Sequence, residues 1–302
     1  MKIETIDLHY RGVSHVIASY LIHGPEGPVL VETGPGSTVE TLLAALAERG
    51  ISPADIRHVL VTHIHLDHAG AAGWWAGQGA TVYVHPFGAP HLIDPSKLIA
   101  SATRIYKDEM ETLWGEILPA APERVVAVQD GQVIAAGGLL FTAFETPGHA
   151  RHHHVYKLDD VVFTGDAAGI RFPESPWIDV PAPPPEFDLE VWKVTLEKIR
   201  ALGAKTLYPT HYGPTSEVEI QLDGLQIALE ETVEFVQSMM DAGLDRDQMV
   251  ERYTERLAAR VAEVEITGTL ARAMEFANPK AMSVDGISRY LRKRAEAEGS
   301  SH

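Results

Sequence analysis

No cysteine occurs among the 302 residues. That absence removes disulfides, thiolate metal ligands and cysteine nucleophiles together. No run of about eighteen apolar residues is present either, so no membrane-spanning helix is predicted. The opening stretch Met1-Lys2-Ile3-Glu4-Thr5-Ile6-Asp7 has no apolar centre of the signal-peptide kind, which points to the cytoplasm. Basic residues are scarce, 25 Lys and Arg against 42 Asp and Glu, for a net charge of −17. A protein that grips phosphate backbones needs the opposite balance, so nucleic acid is not expected as a partner. The one dense basic stretch, Arg289-Tyr290-Leu291-Arg292-Lys293-Arg294, falls near the end of a predicted helix, where cations suit the carboxyl terminus. There is no Gly-x-Ser-x-Gly motif, and with it no support for a serine acyl-enzyme. Apolar residues make up 45% of the chain, enough at this length for a large core.

The chain is rich in histidine where histidine is informative. Thr62-His63-Ile64-His65-Leu66-Asp67-His68-Ala69-Gly70 places three imidazoles and a carboxylate in six residues, directly after the apolar run His58-Val59-Leu60-Val61. Imidazole and carboxylate are preferred ligands of zinc and its first-row neighbours. A strand ending in a tight, Gly-terminated turn can gather these positions around one point. Three further apolar runs end the same way. Leu140–Phe144 leads into Thr146-Pro147-Gly148-His149, Val161–Thr164 into Gly165-Asp166, and Thr206–Pro209 into Thr210-His211-Tyr212-Gly213. Ligands at the ends of several strands are how an α/β scaffold builds a site.

These blocks, in this order, resemble the metallo-beta-lactamase superfamily of metal-dependent hydrolases, over roughly residues 1–215. The resemblance implies an α/β fold, the four-layer αββα sandwich, and a site for two divalent metal ions, zinc first, with iron or manganese as alternatives. It assigns His63, His65 and His149 to one metal, Asp67, His68 and His211 to the other, and Asp166 to the bridge between them. Asp67 beside His68 places the chain with the glyoxalase II-like and lactonase-like branches. Enzymes of the superfamily that destroy β-lactams commonly carry cysteine where Asp166 stands. Upstream, Val29-Leu30-Val31-Glu32-Thr33-Gly34 matches a block in which the family usually has aspartate at the Glu32 position, which implies an acid supporting a ligand histidine from behind. His153 matches a histidine that orients the site without touching metal, while His152 and His154 are left as supporting, exposed or strand-opening residues. His9, His15, His23, His58, His85 and His91 carry no spacing signal and default to surface or satisfied core positions.

The implied function is a dinuclear metal-dependent hydrolase that attacks a small ester, thioester or lactone with a metal-bridging hydroxide, Asp67 orienting the water and shuttling its proton. The alternatives are a phosphodiesterase on the same site and a non-hydrolytic di-iron redox or binding protein. The redox branch usually has glutamate at the His65 position and adds a flavin domain, neither of which is found in this sequence. No convincing match appears for the basic residues with which glyoxalase II enzymes hold glutathione. The expected partner is a small-molecule substrate, with no membrane and with a homodimer possible.

Two regions read as additions to a catalytic domain of residues 1–215. Residues 95–118 read as an inserted helix with Leu98, Ile99, Ile105, Tyr106, Met110 and Trp114 as its apolar positions. Residues 216–302 read as a helical C-terminal extension, with Ile220, Leu222, Leu225, Leu229, Val233 and Val236 near helical period and Gly243, Gly268 and Pro279 as breaks. The extension could serve as a lid, a dimer surface or plain cover. A stiff proline-rich loop, 172–185, leaves the Asp166 strand. Tyr106, Trp114, Phe172 and Trp177 either line the substrate pocket or pack the insert and loop onto the body. Tyr212 either donates to an oxyanion or packs.

Overall fold

Strand residues in this chain alternate between two buried destinations, and the layered architecture follows from that alternation. The computed structural model describes residues 2–172, 175, 178–263 and 268–299. One sheet has six strands: β1 (Lys2–Asp7), β2 (Ala18–Gly24), β3 (Gly27–Val31), β4 (His58–Leu60), β5 (Thr81–Val84) and β6 (Val125–Ala127), in that order. β1 to β3 are antiparallel, and β3 to β6 run parallel. The second sheet has five: β7 (Val133–Ala136), β8 (Leu139–Glu145), β9 (His154–Leu158), β10 (Val161–Gly165) and β11 (Thr206–Pro209), with β11 parallel to β10 and the others antiparallel.

Tyr20 and Ile22 of β2, with Val29 and Val31 of β3, meet Phe141, Tyr156 and Phe163 of the second sheet in a core between the two sheets. Leu21 and Leu30, one residue out of phase, face the opposite way. There they pack with α1 (Val39–Glu48), through Leu42 and Leu46, and with Trp75, the latter following the one-turn α2 (Leu66–Ala69) in α3 (Ala72–Gly77). The outer face of the second sheet is covered by α7 (Leu189–Ala201), α8 (Val218–Asp241), α9 (Arg246–Glu263) and α11 (Lys280–Gly299). Each layer boundary buries aliphatic or aromatic side chains completely, which is where most of the folding free energy lies.

Between β5 and β6 come α4 (Ala89–Ile93), α5 (Ser96–Tyr106) and α6 (Met110–Trp114). The single inserted helix read from the apolar spacing is therefore two, broken at Lys107, whose φ is +47°. The break has a packing reason. Eight residues along one helix would separate Tyr106 and Trp114 by about 12 Å. Folding the insert back brings their rings to 5.0 Å centroid to centroid. In α8, Leu222, Leu225, Leu229, Val233 and Val236 are buried, but Ile220 is exposed and takes no part in the core. α10 (Gly268–Ala277) crosses to the first sheet's helical layer, where Ala273 and Met274 join Phe172 and Ile170. The basic cluster at 289–294 sits inside α11, which continues to Gly299, so it does not form that helix's last turn.

The two sheets are also tied by polar contacts near one edge. The Tyr156 hydroxyl is shared between the carbonyls of Val61 and Tyr83, at 3.0 and 3.2 Å, and the His154 amide donates to the Thr62 carbonyl at 2.7 Å. Tyr156→Phe removes the hydroxyl donor from the buried Val61 carbonyl, while that of Tyr83 keeps the Val61 amide, so unfolding free energy should fall by about 1–3 kcal/mol. Urea denaturation checks this, and an unchanged midpoint would show that the hydroxyl does not join the sheets.

Candidate metal centre

β4 ends at Leu60, and the chain runs through Thr62 and His63 to His65, which stands immediately before α2. Asp67 and His68 ride on that single helical turn. The gathering device is thus a strand running into a helical turn, in place of the tight glycine turn expected from the sequence. Gly70 has an ordinary right-handed φ of −58°. Its role is close approach: a Cβ there would lie 2.3 Å from the Leu66 carbonyl oxygen and 2.9 Å from Pro35 Cα. His149 follows β8, Asp166 follows β10 and His211 follows β11, so the first sheet contributes four of these side chains and the second contributes three.

Their ligating atoms converge. The Nδ1 of His65 lies 2.9 Å from Nε2 of His63 and 2.9 Å from Nε2 of His149. One ring nitrogen cannot satisfy two others, so these three share a deficit of protons or an excess of lone pairs. Around Asp166 the pattern is looser. Its Oδ2 is 3.3 Å from His149 Nε2, and its Oδ1 is 3.4 Å from His68 Nε2 and 3.7 Å from His211 Nε2. Asp67 Oδ2 is 3.3 Å from His211 Nε2. Charged hydrogen bonds are shorter, about 2.7–2.9 Å, whereas two ligands of a tetrahedral zinc stand about 3.3–3.4 Å apart. His68 Nε2, His211 Nε2 and Asp166 Oδ1 are buried with no hydrogen-bond partner. Buried orphan donors and acceptors aimed at one another are the signature of an ion-binding set, and the clusters His63/His65/His149 and Asp67/His68/His211 can each hold a divalent metal.

The other nitrogens of four of these rings are held from outside, so that in each ring, when neutral, the inward nitrogen is the lone pair. His149 Nδ1 donates to the Pro181 carbonyl at 2.8 Å, His211 Nδ1 to that of Val16 at 2.6 Å, and His68 Nδ1 to Glu32 at 3.2 Å. His63 Nδ1 donates to the Thr62 hydroxyl, which in turn donates to Glu32. Glu32, fully buried at φ +64°, also accepts from the Thr62 amide and the Thr210 hydroxyl. His153 accepts from the Asp166 amide at 3.2 Å and donates to Thr146 at 2.8 Å, so it holds the backbone of the central carboxylate. Burial, then the neighbouring imidazoles, keep His63 and His65 well below the usual histidine pKa, neutral and available at pH 7. Burial opposes charge at His68 too, but Asp166, Asp67 and Glu32 outweigh it and raise its pKa well above the ordinary value. Two histidine environments thus coexist within a few ångströms, separated by where the carboxylates lie.

The family model described as Metallo-beta-lactamase superfamily matches residues 15–211, a span that contains every one of these donors. The chain belongs to the metallo-beta-lactamase superfamily. The superfamily member TTHA1429 from Thermus thermophilus superposes with a TM-score of 0.69 at 22% identity, covering 97% of this chain and 94% of that one. Among curated relatives, the metallo-beta-lactamase fold-containing protein ST1585 from Sulfurisphaera tokodaii is 29% identical over 163 residues, 53% of this chain and 61% of the relative. An atrochrysone carboxyl ACP thioesterase from Aspergillus fumigatus is 29% identical over 199 residues, 64% of this chain and 50% of the relative. The chain spans about half to three-fifths of the length of these curated relatives.

Beside this superfamily centre lies a cavity of about 330 Å³, reached by His65, Asp67, His149 and Asp166. Tyr106 and Trp114 line it, together with His152. Phe172 does not: it is 2% exposed and packs with Ile170 and Met274, because the loop after β10 turns it into the first sheet's helical layer. Tyr212 is likewise not in the wall; its ring meets that of His15 at a tilt of 46°, centroids 4.7 Å apart. Trp177 lies outside the described residues. The stiff proline-rich loop read from the sequence does supply wall, through Pro181, Pro183, Pro184 and Pro185, whereas Phe276, Asn278 and Met282, from the far end of the chain, were not singled out. The supporting hydroxyls of Thr62, Thr146 and Thr210 were not assigned a role either, although a threonine stands before each histidine block.

Gly148 has φ +129°, and a Cβ there would lie 2.4 Å from Trp192 Cβ. Gly148→Ala must therefore displace the backbone that carries His149. Elemental analysis should find less metal retained than in the wild type while far-UV circular dichroism stays the same; full retention would show that the backbone at 148 does not govern His149.

Proposed function

We propose that the chain is a metal-dependent hydrolase that opens a small ester, thioester or lactone at a pair of divalent cations, zinc or, by availability, iron or manganese. The observation that carries this reading is the placement of Asp67. Most of the donors are buried, yet Asp67 keeps about a quarter of its side chain open, 23%, and borders a cavity walled by Leu98, Ala102, Trp114, Phe276, Pro183 and Pro184. At 330 Å³ the cavity is at the small end of the usual ~300–1,000 Å³ for small-molecule sites, which suits a compact acyl group.

Two divalent cations bound there supply Lewis acidity and bring the pKa of water toward neutrality. His63, His65 and His149 hold one, and Asp67, His68 and His211 hold the other. Asp166 faces both groups, Oδ2 toward His149 and Oδ1 toward His68. Burial works to raise the Asp67 carboxyl, but the neighbouring His68 and His211 prevail and keep it ionised, an acceptor that orients a water. Tyr106 is the group to polarise the carbonyl. Burial and then the Asp67 charge push its pKa up, so the phenol keeps its proton and donates it as a hydrogen bond to the oxygen on which charge develops. The apolar walls exclude water from the acyl side, which strengthens both effects. The relative named as a thioesterase favours the thioester among the three substrate classes.

Protein purified without chelator should contain at least two metals per chain. Asp166→Ala should lower that number, since one carboxylate serves both sites; retention of both metals in this variant would refute the bridge.

A substrate panel tests the reaction class: p-nitrophenyl esters, acyl-lactones, S-lactoylglutathione, bis-p-nitrophenyl phosphate and a cephalosporin. At least one carbonyl ester, thioester or lactone should turn over, lose that turnover to chelator and regain it on adding metal. The phosphodiester should be poor, because the acidic surface repels anionic substrates. A preference for it over every carbonyl compound would overturn the substrate class. No turnover at all with both metals bound would sink the hydrolase reading, and oxygen uptake with an electron donor would then be the measurement to make.

A further inference from the structure

A separate convergence of ligating side chains lies away from the donors described above. His85 follows β5 of the first sheet, Glu145 closes β8, and His154 opens β9 of the second. One ligating atom from each lies within 4.8 Å of the others. His85 and His154 are buried, 2% and 0% exposed, while Glu145 reaches solvent. None of the three belongs to the seven donors of the superfamily centre.

His154 is the telling member. Both of its ring nitrogens are buried, and neither has a hydrogen-bond partner. Native interiors rarely leave a side chain with two orphaned polar atoms. Its ring sits 4.6 Å from that of His85, centroid to centroid. Burial, and then His85, hold its pKa down at about 3, so a lone pair is free at neutral pH. His85 Nε2 stands 3.3 Å from Glu145 Oε1, long for a charged hydrogen bond but close to the edge of a tetrahedral zinc site.

We propose that His85, Glu145 and His154 form an additional binding site for one divalent first-row cation, a clamp between the two sheets. Two imidazoles and a carboxylate select zinc or its neighbours over magnesium or calcium. The fourth position opens toward solvent beside Glu145, where water completes the coordination. The surrounding charges balance: Asp130 is paired with Lys198 and Glu186 with Arg151, so the carboxylate of Glu145 is the charge that faces the two imidazoles. One contact must yield. The Phe87 amide donates to His85 Nδ1 at 3.0 Å, so coordination through Nε2 moves the ring proton to Nδ1 and turns that amide to water. Phe87 is 65% exposed in a surface turn, and the exchange trades one hydrogen bond for three metal–ligand bonds. The role is structural and does not depend on the hydrolase reading.

Chelator-stripped protein, equilibrated with micromolar Zn²⁺ and analysed for metal, tests the site with two variants. Glu145→Gln keeps the shape of a half-exposed side chain and removes its charge. His154→Phe keeps a buried ring and removes both orphaned nitrogens, so the metal-free variant should be at least as stable as the wild type. Each variant should hold one zinc fewer per chain than the wild type, with affinity for that zinc about ten-fold or more weaker, and should lose part of the Tm rise that zinc produces. Asp166→Ala should keep this zinc, which separates the clamp from the superfamily centre. Equal zinc content and equal Tm response in wild type and Glu145→Gln would overturn the proposal, whether or not His154→Phe folds.

Discussion

Seven imidazole and carboxylate groups aimed at one another, most of them buried at one edge of the sandwich, form an arrangement that resists assembly. Each loses hydration, and several face a neighbour that offers no complementary proton. Most of the surrounding structure is explained by the need to restrain them. Pro181 and Val16 carbonyls and the Glu32 carboxylate hold the outer ring nitrogens, and three threonine hydroxyls relay those bonds into the protein. The two-sheet architecture serves the same end. A single sheet could present donors along one line of strand ends, but it could not surround a point, and here the first sheet supplies one side of the cluster and the second sheet the other.

The cavity shows a different use of the fold. Its polar end belongs to the metallo-beta-lactamase superfamily centre and its apolar end to added helices. Tyr106 and Trp114 meet only because the insert folds back at Lys107, and Phe276 arrives from α10. The C-terminal helices are therefore part of the wall as well as cover for the second sheet. A rigid set of donors combined with replaceable walls lets one centre serve many substrates, because the reacting groups stay fixed while the shape around them changes.

The donors were legible in the sequence because the motif is local. Histidine and aspartate spaced within six residues after an apolar run constrain each other through a few bonds of backbone, and the same logic repeats at His149, Asp166 and His211. The layers were expected from the family resemblance those blocks carry, and the C-terminal helices from apolar residues near helical period. Exposed Ile220 shows the limit of that argument, since periodicity marks a face without saying where the covering element ends.

Tertiary structure alone decided who meets whom across the chain. Phe172 follows Asp166 by six residues and Tyr212 adjoins His211, yet one went to the core and the other to His15. Phe276 and Met282, far from any motif, reached the cavity. His85 carried no local signal and acquired Glu145 and His154 as neighbours only when the two sheets closed. Local sequence determines which chemical groups a strand end presents. Which groups then share a dry volume depends on packing between segments tens of residues apart, and no period or spacing along the chain records that distance.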